Sequence, residues 1–317
     1  MLRKFLPEAI AVVIGLCVFT YVFCKPLGLA EGGMLHTALE NSKIAYITEP
    51  SGNQAQFSYL LDGNPLDIRS LGAVYSLLIL AGIILIIHFG KGGRTLPDIL
   101  LAVLTPLIFL DFAYVSYVNT FFPQAAFFAA ALIFIGIAAV FIKKNSPVAW
   151  VIPVILAIVA CFSTFSVPAA NPSADESPTG VFSELAFNAR NGYNIRPSYL
   201  SNFRDTTEPT LAHGFDLYSS AKAAFTPNNL AFTLIILAAY AFVVIKSKAS
   251  KIYLALPILA ILSLAVPLFT VHRANIGMNL FAFNVFFDLL VLTSIVGGVR
   301  IIQSRNATLR QKFGVTQ

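Results

Sequence analysis

SLGAVYSLLILAGIILIIHF, residues 70–89, contains no Asp, Glu, Lys or Arg, and the basic turn Lys91-Gly92-Gly93-Arg94 follows it almost at once. About 20 apolar residues carry an α-helix across the hydrocarbon of a bilayer, so this stretch reads as one membrane span and its tail as a reversal into the next. Working outward, segments of the same character lie at residues 5–24, 98–118, 124–142, 148–167, 230–245, 252–270 and 277–299. The expected fold is therefore all-α: a polytopic integral membrane protein of about eight transmembrane helices, forming a single domain over residues 1–317. The first segment follows Arg3 and Lys4 but leads into Lys25-Pro26 rather than a small-residue cleavage site, which fits a retained signal anchor.

Composition agrees. Hydrophobic residues make up 57% and charged residues 11%, with mean hydropathy +0.78, whereas soluble domains carry about 25% charged residues. The net charge of +6 does not point to nucleic acid, because no soluble basic module is present. Instead the cations cluster between spans: Arg3 and Lys4; Lys91 and Arg94; Lys143 and Lys144; Lys246, Lys248 and Lys251; Arg300, Arg305, Arg310 and Lys312. With eight spans, all five groups fall on one side. The positive-inside rule makes that side cytoplasmic and puts both termini there.

Two long segments, residues 25–69 and 168–229, fall on the outer side and hold most of the acidic residues, interleaved with aromatics. The mixture is too apolar for plain disorder and is expected to form short helices on the outer face. Residues 171–180 read as a turn region within the second.

Carboxylates inside apolar spans are the strongest functional clue, since they are costly at bilayer depth and face a partner or a watery cavity. Asp111, Tyr114 and Tyr117 recur at near-helical spacing, with Asn119 beyond them. On the last span Asn284 and Asp288 are four residues apart and share a face, with His272 and Arg273 just outside it. Either both spans line a polar cavity open to the outer side, or each Asp bonds to a neighbouring helix as interhelical glue. Glu8 is expected to reach the interface and pair with Lys4, Asp98 to sit in a helix first turn, and His88 to be interfacial. Cys17, Cys24 and Cys161 form no CxxC pair and have no nearby His, which fits packing rather than a disulfide or a metal site. Walker, dinucleotide-binding, HExxH and GxSxG motifs are missing, as is any internal repeat.

Two stretches carry a resemblance. DFAYVSYVNTFFPQ (residues 111–124) and NLFAFNVFFD (279–288) resemble segments of polytopic bacterial membrane hexose transferases of glycan biosynthesis, in which an Asp, a Tyr and an Asn-Ser/Thr-Phe-Phe run recur and the final span carries Phe-Asn-x-x-Phe-Asp. The resemblance implies a multi-pass protein of the bacterial cytoplasmic membrane that transfers hexose from a polyprenyl-phosphate donor to a cell-surface glycan at the outer face. It implies Glu31, Asp62 and Asp67 as candidates for the catalytic base or a metal contact. Arg69, Arg204 and Arg273 become candidates for the phosphate, and Asp111, Tyr114, Tyr117, Asn119, His272, Asn284 and Asp288 for the substrate. No dedicated metal site is expected, although a divalent cation is a possible cofactor. Two departures stand out: Gln124 replaces an acidic residue expected after the Phe-Phe pair, and Arg273-Ala274-Asn275-Ile276 replaces acidic residues expected before the last span. They leave open another substrate or lost activity.

Three functions follow as expectations: the hexosyltransferase or a relative, a transporter or flippase, and a non-catalytic membrane subunit of an envelope-assembly complex. The expected partners are the lipid bilayer, a polyprenyl-phosphate-linked sugar and a possible protein, with no nucleic acid.

Overall fold

The computed structural model describes residues 5–24, 44–48, 56–59, 65–66, 68–93, 95–115, 117–118, 123–144, 146–165, 230–247, 251–270 and 280–312. Its helices are α1 (Leu6–Cys24), α2 (Ile68–Gly90), α3 (Thr95–Phe109), the short α4 (Phe112–Val115), α5 (Pro123–Lys143), α6 (Val151–Phe165), α7 (Leu230–Lys246), α8 (Ala255–Thr270) and α9 (Phe281–Lys312). Single 3-10 turns, Pro147–Trp150 and Lys251–Leu254, lead into α6 and α8. Among the described residues, four helices are long and apolar enough to cross a membrane: Leu6–Phe23, Ser70–Gly90, Pro123–Lys143 and Phe281–Arg305. Shorter apolar helices occupy the other four expected positions, Leu96–Phe109, Pro147–Cys161, Thr233–Lys246 and Lys251–Val266. Val13, Leu77, Ile235, Ile245 and Ile302 are each more than half exposed. A bilayer is the environment that solvates such a surface, and the chain is an integral membrane protein.

The expectation of an all-α chain fails in the first long connection. Strands β1 (Ile44–Thr48), β2 (Gln56–Tyr59) and β3 (Pro65–Leu66) form a three-stranded antiparallel sheet in the order β1-β2-β3, where short helices were expected. The register pairs Ile44 with Tyr59 and Tyr46 with Phe57, and Phe57 with Leu66. The local sequence accounts for this. Ile-Ala-Tyr-Ile-Thr is rich in β-branched and aromatic residues, and Gln-Phe-Ser-Tyr alternates polar and aromatic with period two. The second long connection lies outside the described residues.

Inside the helical part, α9 is the axis. Every residue from Leu280 to Leu290 is buried, as expected of a helix apolar on all sides. It packs against α3, α5, α7 and α8. The most extensive pairing, α2 with α5, depends on two glycines. A Cβ on Gly82 would stand 2.6 Å from Leu132 Cβ, and one on Gly136 would stand 2.5 Å from Leu85 Cβ, with backbone of the facing helix at 2.9–3.2 Å in both cases. Small residues at such positions let two membrane helices approach backbone to backbone.

The expected third span is not one continuous helix. Pro106 removes a ladder N–H inside α3, the helix ends at Phe109, and α4 begins at Phe112. At the break, the Asp111 carbonyl accepts the N–H groups of Tyr114 (2.9 Å) and Val115 (3.0 Å), which makes Asp111 the N-cap of α4. The last helix, in contrast, runs to Lys312, well past the end expected near residue 299.

Candidate functional site

The break at Asp111 aims the residues that follow it. Tyr114 N–H bonds to Asp111 O and Tyr117 N–H to Tyr114 O (3.3 Å), both over three residues. Three-residue turns bring positions i, i+3 and i+6 into line, so the two tyrosines face the same way. Both meet Phe281 at the start of α9, with ring centroids at 5.4 Å from Tyr114 and 4.9 Å from Tyr117. The Tyr114 ring also stacks on Phe128 of α5 at 4.6 Å, nearly parallel. Held by these rings, its hydroxyl donates to Asp288 Oδ2 at 2.7 Å. Both residues are buried, and 174 positions separate them. Asp288 is thus bonded to a neighbouring helix, and the bond joins the two polar stripes singled out in the sequence.

Asp111 itself is 1% exposed and Asn284, one turn before Asp288, is 6% exposed. Gln124 is the member that sequence reasoning passed over as a mere departure. It is fully buried in the first turn of α5, and neither of its amide atoms has a hydrogen-bond partner among the described residues. Gln124, Phe127 and Phe128 share one face of α5, and the two phenylalanines pack against Phe281. The amide therefore borders the same aromatic layer. A buried amide without a partner costs roughly 1–3 kcal/mol, which makes it a place where an incoming hydroxyl gains. The only signal in the sequence was one polar residue directly after a proline and before a long apolar run.

Of the remaining candidates, Arg69 falls in the first turn of α2. Glu31, Asp62, Asp67, Asn119, Arg204, His272 and Arg273 lie outside the described residues. Among the described residues no group of three His, Cys, Asp or Glu side chains gathers as a metal ion would require.

At the other end of the bundle the polar chemistry is ionic. Glu8 on α1 accepts from His88 Nδ1, in the last turn of α2, at 2.8 Å and from Lys91 Nζ, just past that helix. The described partners of Glu8 are thus His88 on α2 and Lys91 just past its end; Lys4, the partner expected from the sequence, lies outside the described residues. Asp98, in the first turn of α3 as expected, accepts from Gly92 N–H at 2.9 Å and meets Arg300 at 3.4 Å. Arg300 in turn donates to the Gly90 carbonyl at 2.7 Å, closing the C-terminus of α2.

A family model described as the YfdI N-terminal transmembrane domain matches residues 56–169 and 176–314. The chain belongs to this family. Both halves of the aromatic–carboxylate site, Tyr114 and Asp288, fall within the matched residues, as do the cations of the basic end from Lys91 to Arg305. No curated protein and no solved structure matches the chain.

Proposed function

We propose that this member of the family is a hexosyltransferase of the bacterial cytoplasmic membrane, taking its sugar from a polyprenyl-phosphate donor at the outer face, with both termini in the cytoplasm. One observation carries the proposal. The two stretches that resemble hexose transferases are far apart in sequence, yet the Tyr114–Asp288 hydrogen bond and the shared Phe281 contacts unite them. Aromatic faces, a buried carboxylate and an amide with open hydrogen-bonding capacity are the groups that recognise a sugar ring and its hydroxyls. In this reading Gln124 and Asn284 bind sugar hydroxyls, and Tyr114 with Asp288 holds the aromatic walls in place.

The transfer step needs a base and a cationic clamp. A carboxylate, with Glu31 the first candidate and Asp62 and Asp67 behind it, takes the proton from the acceptor hydroxyl as its oxygen attacks the anomeric carbon. The bond from that carbon to the phosphate oxygen breaks, and the lipid phosphate leaves with the electron pair. Arg69, Arg204 and Arg273 are the candidates to stabilise its charge. The test compares envelope glycans of a deletion strain complemented with wild type, Glu31→Gln or Gln124→Ala. A hexose restored by wild type and not by Glu31→Gln supports transfer, while a glycan profile indifferent to the deletion sinks it.

Transport is a second reading, favoured by the interruption of the third span at Asp111, because broken helices line substrate paths in transporters. It predicts flux that Asp111→Asn abolishes and Glu31→Gln leaves intact.

A further inference from the structure

At the basic end, between α5 and α7 and floored by α9, lies a crevice of about 880 Å³. Cavities of about 300–1,000 Å³ bury most of a small amphipathic ligand. The walls divide by chemistry along the length of α9. Leu289, Leu292 and Val296, with Ile135 of α5 opposite, line the apolar part; Arg300 continues their stripe of α9, and Arg305 joins the lining from further along the helix. From Leu289 to Arg305 the lining covers roughly 24 Å of α9 at 1.5 Å per residue. Lys91, Lys143 and Lys246 complete the basic part from three other places in the chain, and among the described residues no Asp or Glu lines the crevice.

These cations are not equivalent. Lys91 is compensated by Glu8 and Arg300 by Asp98. Lys143, Lys246 and Arg305 have no carboxylate partner among the described residues, and all three are solvent-exposed. An apolar slot that ends in uncompensated cations from three helices is complementary to a molecule with a hydrocarbon chain and an anionic head. Basic pockets between transmembrane helices hold phospholipid head groups in this manner.

We infer that this crevice is a binding site for one anionic phospholipid of the adjacent leaflet, its phosphate held by Lys143, Lys246 and Arg305 and an acyl chain lying along α9 toward Leu289. The site is independent of the hexosyltransferase reading and lies at the other end of the bundle. Ordinary anchoring of basic helix ends at the interface differs from it in one respect: anchoring depends on the number of charges, and the crevice on their position.

The experiment uses the full chain in detergent micelles, with retained lipid counted by native mass spectrometry and affinity read from a titration. The probes are phosphatidylglycerol, phosphatidylcholine and inorganic phosphate. One phosphatidylglycerol per chain is expected, neither replaced by phosphatidylcholine nor competed by inorganic phosphate. Lys246→Gln/Arg305→Gln should weaken it roughly 20–30-fold, at about fivefold per cation near a membrane surface. Lys144→Gln/Lys251→Gln removes the same charge at the same end outside the crevice, and should leave the affinity within about twofold. Ala139→Trp, which fills the slot and keeps every charge, should abolish retention. Equal losses in the two charge pairs, equal retention of phosphatidylcholine, or full competition by inorganic phosphate would each overturn the assignment.

Discussion

The two ends of this bundle handle polar groups in opposite ways. At the aromatic end, Tyr114, Asp288, Asn284 and Gln124 are all buried, the Tyr114 hydroxyl is bonded to Asp288, and Gln124 has hydrogen-bonding capacity left over. At the basic end the carboxylates Glu8 and Asp98 are buried but their cationic partners reach the surface, with side-chain exposure of 40% for His88 and 32% for Arg300. Water and lipid head groups can share the load there. Burial raises both the strength of a hydrogen bond and the penalty for losing it. Single substitutions should therefore be felt hard at the aromatic end and lightly at the basic one.

The largest effect erases the comparison, because it strikes the contact both ends share. Gly136→Leu places a side chain against Leu85 Cβ and the α2 backbone, where nothing can yield without moving a helix. Overpacking of this kind costs about 1–3 kcal/mol and sometimes more. Thermal unfolding in detergent should show the drop, and both the glycan phenotype and lipid retention should fall together.

Tyr114→Phe comes next and isolates the aromatic end. It removes the donor to Asp288 and leaves the ring stacked on Phe128. Removing one partner of a buried hydrogen bond costs about 1–3 kcal/mol, so a comparable loss is expected, insensitive to salt. Lipid retention at the basic end should not change.

Gln124→Leu reverses the sign. Replacing an unpartnered buried amide by an apolar side chain of similar size should stabilise the fold by roughly 1–2 kcal/mol, measured in the same unfolding assay. If the amide receives a sugar hydroxyl, glycan transfer should be lost as stability rises. Stabilisation with transfer intact would remove Gln124 from the site.

These effects also separate what the chain reveals locally from what only folding assembles. The apolar segments stand out because hydropathy is a property of single windows, and helices occupy every expected position. The two polar stripes were legible as spacings. Their junction was not, because Tyr114 meets Asp288 across 174 residues and nothing local encodes that meeting. The His88 contact of Glu8 was hidden for the same reason: it spans 80 residues, and nothing near Glu8 in the sequence encodes it. The sheet at residues 44–66 was locally encoded, by the alternation in Gln56–Tyr59, but composition over the whole connection hid it. The break in the third span was marked by Pro106 and Asp111, which high hydropathy overrode.

Glu8→Gln should have the smallest effect and is the sharpest check on the contrast. One oxygen of Glu8 accepts from both His88 and Lys91, and the other has no hydrogen-bond partner among the described residues. Glutamine keeps an acceptor and loses the charge, so the change removes mainly the Coulomb part of a partly solvated ion pair. Such pairs contribute about 0.2–1 kcal/mol, a shift of less than about 2 °C in unfolding temperature for a chain of this size. Screening shortens to about 3 Å at 1 M salt, so the difference between Glu8→Gln and wild type should shrink as salt rises, whereas that of Tyr114→Phe should not. A loss at Glu8 larger than that at Tyr114, or one that salt leaves untouched, would mean that the basic end is as dry as the aromatic one. The crevice beside it would then be closed to lipid head groups, and the contrast between the two ends would fail.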